Sequence, residues 1–65
     1  MYKVVAFVDY EGYSMRFKVR DEAVSAYYSG VERLIEMNCE WVIYLIDLDN
    51  HAIVNYVDSD CFITD

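Results

Sequence analysis

The sequence predicts a small α+β domain in the order β-β-α-β-β. Its sheet has four antiparallel strands in the order 2-1-3-4, with one helix on one face. Three observations predict this. Apolar residues alternate with period two over residues 2–10 and 13–19. They recur at spacings of three and four between Val24 and Ile35. A run that is apolar on both faces, residues 40–46, is followed by a β-branched stretch at 52–57. Strand side chains alternate between two faces, whereas helical ones return every 3.6 residues, so the two periods separate the elements.

In the first strand Tyr2, Val4, Ala6, Val8 and Tyr10 share one side, and Lys3, Val5, Phe7 and Asp9 the other. Glu11 and Gly12 interrupt the pattern, and a glycine there can take the positive φ of a tight turn. In the second strand Tyr13, Met15, Phe17 and Val19 face one way, and Ser14, Arg16, Lys18 and Arg20 the other. One apolar and one basic face suit a strand exposed on one side. Asp21 is the expected N-cap, with Glu22 placing negative charge in the first helical turn. Val24, Tyr27, Tyr28, Val31, Leu34 and Ile35 form the expected apolar stripe, and Ser25, Ser29, Glu32 and Glu36 the wet face. Gly30, inside this helix, is read as a point of close approach. Asn38 is the expected left-handed stop.

Residues 40–46 read as a central strand, Asp47 to Asn50 as a turn, and 52–57 as the fourth strand. Cys61, Phe62 and Ile63 are expected to dock as a short final segment. The two doubly apolar strands, first and third, belong in the middle, and the mixed second and fourth at the edges. With a right-handed crossover, the helix covers one face. The other face keeps Val5, Phe7 and one of two triplets of the third strand, either Trp41/Ile43/Leu45 or Val42/Tyr44/Ile46.

Sixty-five residues make a single small acidic domain, 1–65. A chain this short buries only about 60% of its unfolded surface. Its core alone gives about 3–5 kcal/mol of net stability. Yet 57% of residues are hydrophobic and 17% aromatic, which excludes a disordered acidic tail. That is more apolar surface than one small core hides, so a second copy or a partner is expected to cover some of it. No signal peptide and no membrane span is read, and the expected compartment is the cytoplasm. Cys39 and Cys61 fit no CxxC or zinc spacing and read as two buried, reduced thiols.

The formal charge is −7. Residues 1–33 are balanced, with Lys3, Arg16, Lys18, Arg20 and Arg33 against Asp9, Glu11, Asp21, Glu22 and Glu32. Residues 34–65 hold no Lys or Arg but carry Glu36, Glu40, Asp47, Asp49, Asp58, Asp60 and Asp65. These seven are the candidate partner-binding residues, gathered at the ends of elements. A basic partner is expected, because complementary charge steers encounter. Direct nucleic-acid binding is not expected of a chain with pI ≈ 4.3, since phosphate contacts begin with excess positive charge. The stripe Arg16, Lys18, Arg20 reads as edge protection or as a match for acids of a neighbouring copy.

No catalytic constellation is found. The lone His51 lies in a turn with Asp47 and Asp49, but Ala52 stands where a calcium loop needs its sharp-turn glycine. The serines lie in no nucleophile elbow, and Gly12 and Gly30 make no phosphate-cradling loop. No cofactor or metal is expected, and no enzyme activity.

Two functions fit. The first is a small acidic inhibitor that docks on a basic, nucleic-acid-handling protein, by analogy of size and charge with viral DNA mimics and phage anti-CRISPR or anti-restriction proteins. The second is a structural or regulatory homodimer that associates through the open sheet face, such as an antitoxin-like module. The opening Met-Tyr-Lys-Val-Val and the following Glu-Gly-Tyr resemble that style of hairpin, and no diagnostic motif follows.

Overall fold

The structure, a computed structural model, describes residues 1–62, with side chains through Asp60. Its elements are β1 (Tyr2–Val8), β2 (Glu11–Phe17), α1 (Arg20–Ile35), β3 (Trp41–Asp47) and β4 (Ala52–Asp58), then a 3₁₀ turn at Ser59–Phe62. All neighbouring strands are antiparallel and the sheet order is β2-β1-β3-β4, as the doubly apolar β1 and β3 require. Two backbone bonds extend the β1–β3 pairing past both ends. The Asp9 amide donates to the Glu40 carbonyl at 3.1 Å, and the Leu48 amide to the Met1 carbonyl at 3.0 Å.

Strand parity decides what each face holds. Val4 is buried beneath α1, so Lys3, Val5 and Phe7 point to the opposite face. Register then places Ser14 and Arg16 of β2, and Val42, Tyr44 and Ile46 of β3, on that same open face. Trp41, Ile43 and Leu45 turn inward and meet Ala23, Tyr27, Val31 and Leu34 of the helix. Every buried residue among those described lies in this one layer. Burying a large apolar side chain contributes roughly 1.5–3 kcal/mol, so this layer supplies most of the stability.

Four local expectations are corrected. The first turn is Asp9-Tyr10, not Glu11-Gly12; both residues have positive φ, 48° and 72°. Gly12 lies within β2 opposite Phe7. A Cβ there would sit 3.2 Å from the Phe7 ring, so the glycine keeps the strand flat beneath an aromatic ring. The N-cap is Val19 rather than Asp21. Only Lys18 and Val19 connect β2 to the helix, so it starts before the aspartate, and Asp21 and Glu22 act on the first-turn dipole instead. Asn38 is not left-handed; the helix ends through Glu36 in the αR region, with the Met37 amide bonded to the Leu34 carbonyl at 3.0 Å. The buried stripe centres on Ala23, while Tyr28 and Ile35 are exposed and the Tyr28 ring packs edge-on to Tyr27, centroids 5.2 Å apart. Ile63, assigned to the expected final segment, lies outside the described residues.

Gly30 does permit close approach, and the partner is β3. A Cβ there would lie 2.8 Å from the Ile43 Cδ1 methyl, which is itself in the core. Gly30→Ala gains about 1 kcal/mol of helix propensity but overpacks at a cost of about 1–3 kcal/mol. We predict that G30A alone destabilises by about 1 kcal/mol in urea unfolding. In an Ile43→Val background, which lacks Cδ1, the same change should stabilise. Additive effects would contradict this packing.

Candidate functional site

The antiparallel register gives the sheet two chemically distinct ends. Val8 of β1 pairs with Trp41 at the start of β3 and with Glu11 at the start of β2, which defines one end. The β1–β2 turn, the C-terminus of α1 and the exit of β4 all arrive there. Among the described residues this end gathers Asp9, Glu11, Glu36, Glu40, Asp58 and Asp60, with Arg33 of the last helical turn as its cation. At the other end Tyr2 pairs with Phe17 and Asp47. That end holds Lys3, Arg16, Lys18, Arg20 and the α-amino group, with Asp21, Glu22, Asp47 and Asp49. The helix dipole runs the same way, because its negative C-terminus lies at the acidic end.

Of the seven acids singled out by sequence, the fold brings Glu36, Glu40, Asp58 and Asp60 to one end and sends Asp47 and Asp49 to the other. Asp65 lies outside the described residues. Sequence reading missed Asp9 and Tyr10, which belong to the neutral half of the chain. Antiparallel alternation was the signal that could have found them, since the first turn must lie beside the start of the third strand.

An open cleft of about 650 Å³ occupies the acidic end, lined by Asp9, Glu40, Asp58 and Asp60 together with Phe7, Tyr10, Trp41, Val42 and Ser59. The Ser59 hydroxyl accepts from the Trp41 amide at 3.3 Å, which holds the turn after β4 against the start of β3. A second hollow beside it shares Glu40, Trp41, Ser59 and Asp60. Carboxylates interleaved with aromatic faces suit a guanidinium or ammonium group, through charge-assisted hydrogen bonds and cation–π contact.

Tyr10 stands at the rim of this cleft with its side chain fully exposed (102%). A two-residue turn with both φ positive favours Asn-Gly or Asp-Gly, and a bulky aromatic at φ 72° is strained. The ring makes no compensating burial, so strain is held for an exposed aromatic. Such outliers point towards function.

Asp47 is engaged within its own turn. Its Oδ1 accepts from the amides of Asp49 at 3.0 Å and Asn50 at 3.4 Å, and its Oδ2 from the Asn50 side-chain amide at 2.7 Å. His51 closes the turn with φ 53°. Asp49 is bonded to the α-amino group of Met1 at 2.8 Å. Among the described residues no group of three or more His, Cys, Asp or Glu side chains is arranged to hold a metal ion. Cys39 is a free thiol, half-buried rather than buried as expected, and the side chain of Cys61 lies outside those described. No helix is long and apolar enough to cross a membrane.

No protein-family model, curated protein or solved structure matches the chain. What it does must therefore be read from its own surface.

Replacing Tyr10 by Gly should raise stability by about 1 kcal/mol in urea unfolding, because glycine accepts this φ without cost; no gain would remove the strain argument. The Asn50 side chain, first, holds the Asp47 carboxyl below its ordinary value of 3.8; desolvation opposes it, and the turn amides and the nearby α-amino group add to the lowering. A depressed carboxyl contributes stability that is present above that ordinary value and is lost as pH falls through its own lower one. NMR titration should show Asp47 titrating below 3.8, with Asn50→Ala moving it upward; an unmoved midpoint would contradict the turn's role.

Proposed function

We propose that this chain is a small interaction protein that docks its acidic end on a basic protein that handles nucleic acid, and inhibits it by occupying the surface where phosphates bind. The observation that carries the reading is the cleft at one end of the sheet, which Asp9, Glu40, Asp58 and Asp60 line together with the exposed rings of Phe7 and Tyr10. Carboxylates spaced around a compact, aromatic-lined end present an anionic array to a partner's Arg and Lys side chains, as a phosphate backbone does. Electrostatic complementarity of this kind raises association rate and gives specificity. Tyr10 supplies an exposed aromatic of the type enriched at binding hot spots. The reading needs no cofactor and no catalytic group. It places the chain in the cytoplasm, where thiols such as Cys39 stay reduced, and puts it in the functional class of viral DNA mimics, anti-CRISPR and anti-restriction proteins by analogy of charge and size.

A second reading, a structural or regulatory homodimer, is favoured by the exposure of Phe7, Ile53 and Tyr56, which leaves the sheet face opposite the helix without cover among the described residues.

The docking reading is tested with the full chain against basic DNA-binding enzymes, at low and high salt, with duplex DNA as competitor. Binding should weaken steeply with salt and be displaced by DNA. Glu40→Gln with Asp60→Asn should weaken it at least tenfold, an expectation of about 1.4 kcal/mol for two charges in a partly desolvated contact. Asp47→Asn with Asp49→Asn, at the far end, should leave it unchanged. Binding that ignores both salt and DNA would sink the mimic, and equal losses from both double variants would sink the site.

A further inference from the structure

We propose that two copies of this chain pair β2 against β2 in antiparallel sense, centred on Ser14, and fuse two four-stranded sheets into one. This rests on the self-association reading above but not on its choice of the open face as the interface.

The two edges of the sheet differ. β4 is disrupted by a register shift opposite Leu45/Ile46, and such a bulge hinders further pairing. Acids flank it at both ends, Asp47 and Asp49 at one and Asp58 and Asp60 at the other, so β4 repels its own copy in either sense. β2 is unbroken over Glu11–Phe17 and, among the described residues, no strand covers its outer edge. Its charge is polarised. Asp9 and Glu11 stand at the start, and Arg16, Lys18 and Arg20 at the end. Parallel pairing sets like charges together, whereas antiparallel pairing sets the acids of each copy beside the bases of the other. This is the reciprocity a two-fold axis imposes.

Hydrogen-bond phase fixes the register. A two-residue turn closes with a hydrogen-bonded pair, here Val8 and Glu11, and such pairs alternate along an antiparallel ladder. The amides and carbonyls of Gly12, Ser14 and Arg16 therefore point away from β1. Setting Ser14 opposite Ser14 of the second copy places Gly12 opposite its Arg16 and engages all of these groups, for roughly six new hydrogen bonds. A shift of two residues either way loses some of them.

Side chains agree with that register on both faces. The Phe7 ring lies over Gly12, 3.2 Å from where a Cβ would be, and is 48% exposed. Arg16 of the second copy, facing Gly12, meets that ring with no side chain between, as cation–π contact requires. On the helix side Tyr13 and Met15 are 56% and 59% exposed. The register sets Tyr13 opposite Met15 of the second copy, a sulfur–aromatic contact. An interface of one strand is small, which predicts a dimer in the micromolar range rather than an obligate one. The pairing engages Asp9 and Phe7 at the near rim of the acidic cleft and leaves Glu40, Asp58 and Asp60, and the open face over β3 and β4, uncovered.

Sedimentation equilibrium between about 1 and 100 µM tests the pairing, in a range suited to small interfaces. The wild-type chain should dimerise. Ser14→Pro removes an amide that points away from β1, a position where an edge strand accepts proline. It should raise the dissociation constant about thirtyfold, the equivalent of two hydrogen bonds, with an unchanged far-UV circular dichroism spectrum. Tyr56→Ser, on the open face, should dimerise as wild type. Should S14P misfold, Ser14→Cys with Cys39 and Cys61 replaced by Ser should form a disulfide-linked dimer on mild oxidation, while Met15→Cys in that background should not. A wild-type monomer at the top of the range overturns self-association altogether. A dimer that survives S14P, or the absence of the S14C cross-link, overturns the edge alone; loss of that dimer in Y56S then assigns it to the open face.

Discussion

One helix faces a sheet of four strands, and it can cover only one side. The rest of the structure follows from which side that is. β3 turns Trp41, Ile43 and Leu45 towards α1, and they meet Ala23, Tyr27, Val31 and Leu34. The fit is close enough that Gly30 leaves no room for a Cβ over Ile43. A domain of this size has about 3–5 kcal/mol to lose, and truncating one large core side chain costs about 2–5 kcal/mol. Loss of one such side chain would therefore remove most of the stability margin. On the open face Tyr44 and Tyr56 stack at 5.9 Å between centroids, with no layer above them among the described residues.

The same constraint organises charge. The strands and the helix run along one axis, so every turn and helix end falls at one of two poles. Charges placed in turns, where solvent tolerates them, become polar caps of the molecule. The pole at the start of β3 collects acids and the negative end of the helix dipole; the opposite pole collects most of the bases. The docking reading and the antiparallel pairing of β2 both draw on that polarity. The first uses one pole against a basic partner, and the second sets opposite poles of two copies side by side.

Much of this was legible in the sequence, and the remainder was not, for identifiable reasons. The sheet order could be read because β1 and β3 are apolar on both sides and β2 and β4 are not. The phase of β3 could not, because Trp41/Ile43/Leu45 and Val42/Tyr44/Ile46 are equally apolar, and the choice falls to tertiary packing beneath Gly30. The first turn slipped by two residues because Gly12 looked like the turn glycine, whereas it serves as the flat floor beneath Phe7 and leaves Tyr10 in a strained corner. Helix ends depended on a connection of two residues, too short for the cap chemistry of Asp21 to operate. The charge asymmetry was visible as two halves of the chain. Its spatial form differs, since Asp9 and Glu11 from the neutral half join the acidic pole while Asp47 and Asp49 leave it.

The one-sided burial is tested most directly by solvent paramagnetic relaxation in NMR. A soluble gadolinium chelate would be added to the chain at a concentration low enough to keep it monomeric. The account predicts strong attenuation of the side-chain signals of Phe7, Tyr44 and Tyr56, and little for Tyr27, Ile43 and Leu45. Attenuation of Ile43 and Leu45 with protection of Tyr44 would mean that β3 faces the other way, and would contradict the account.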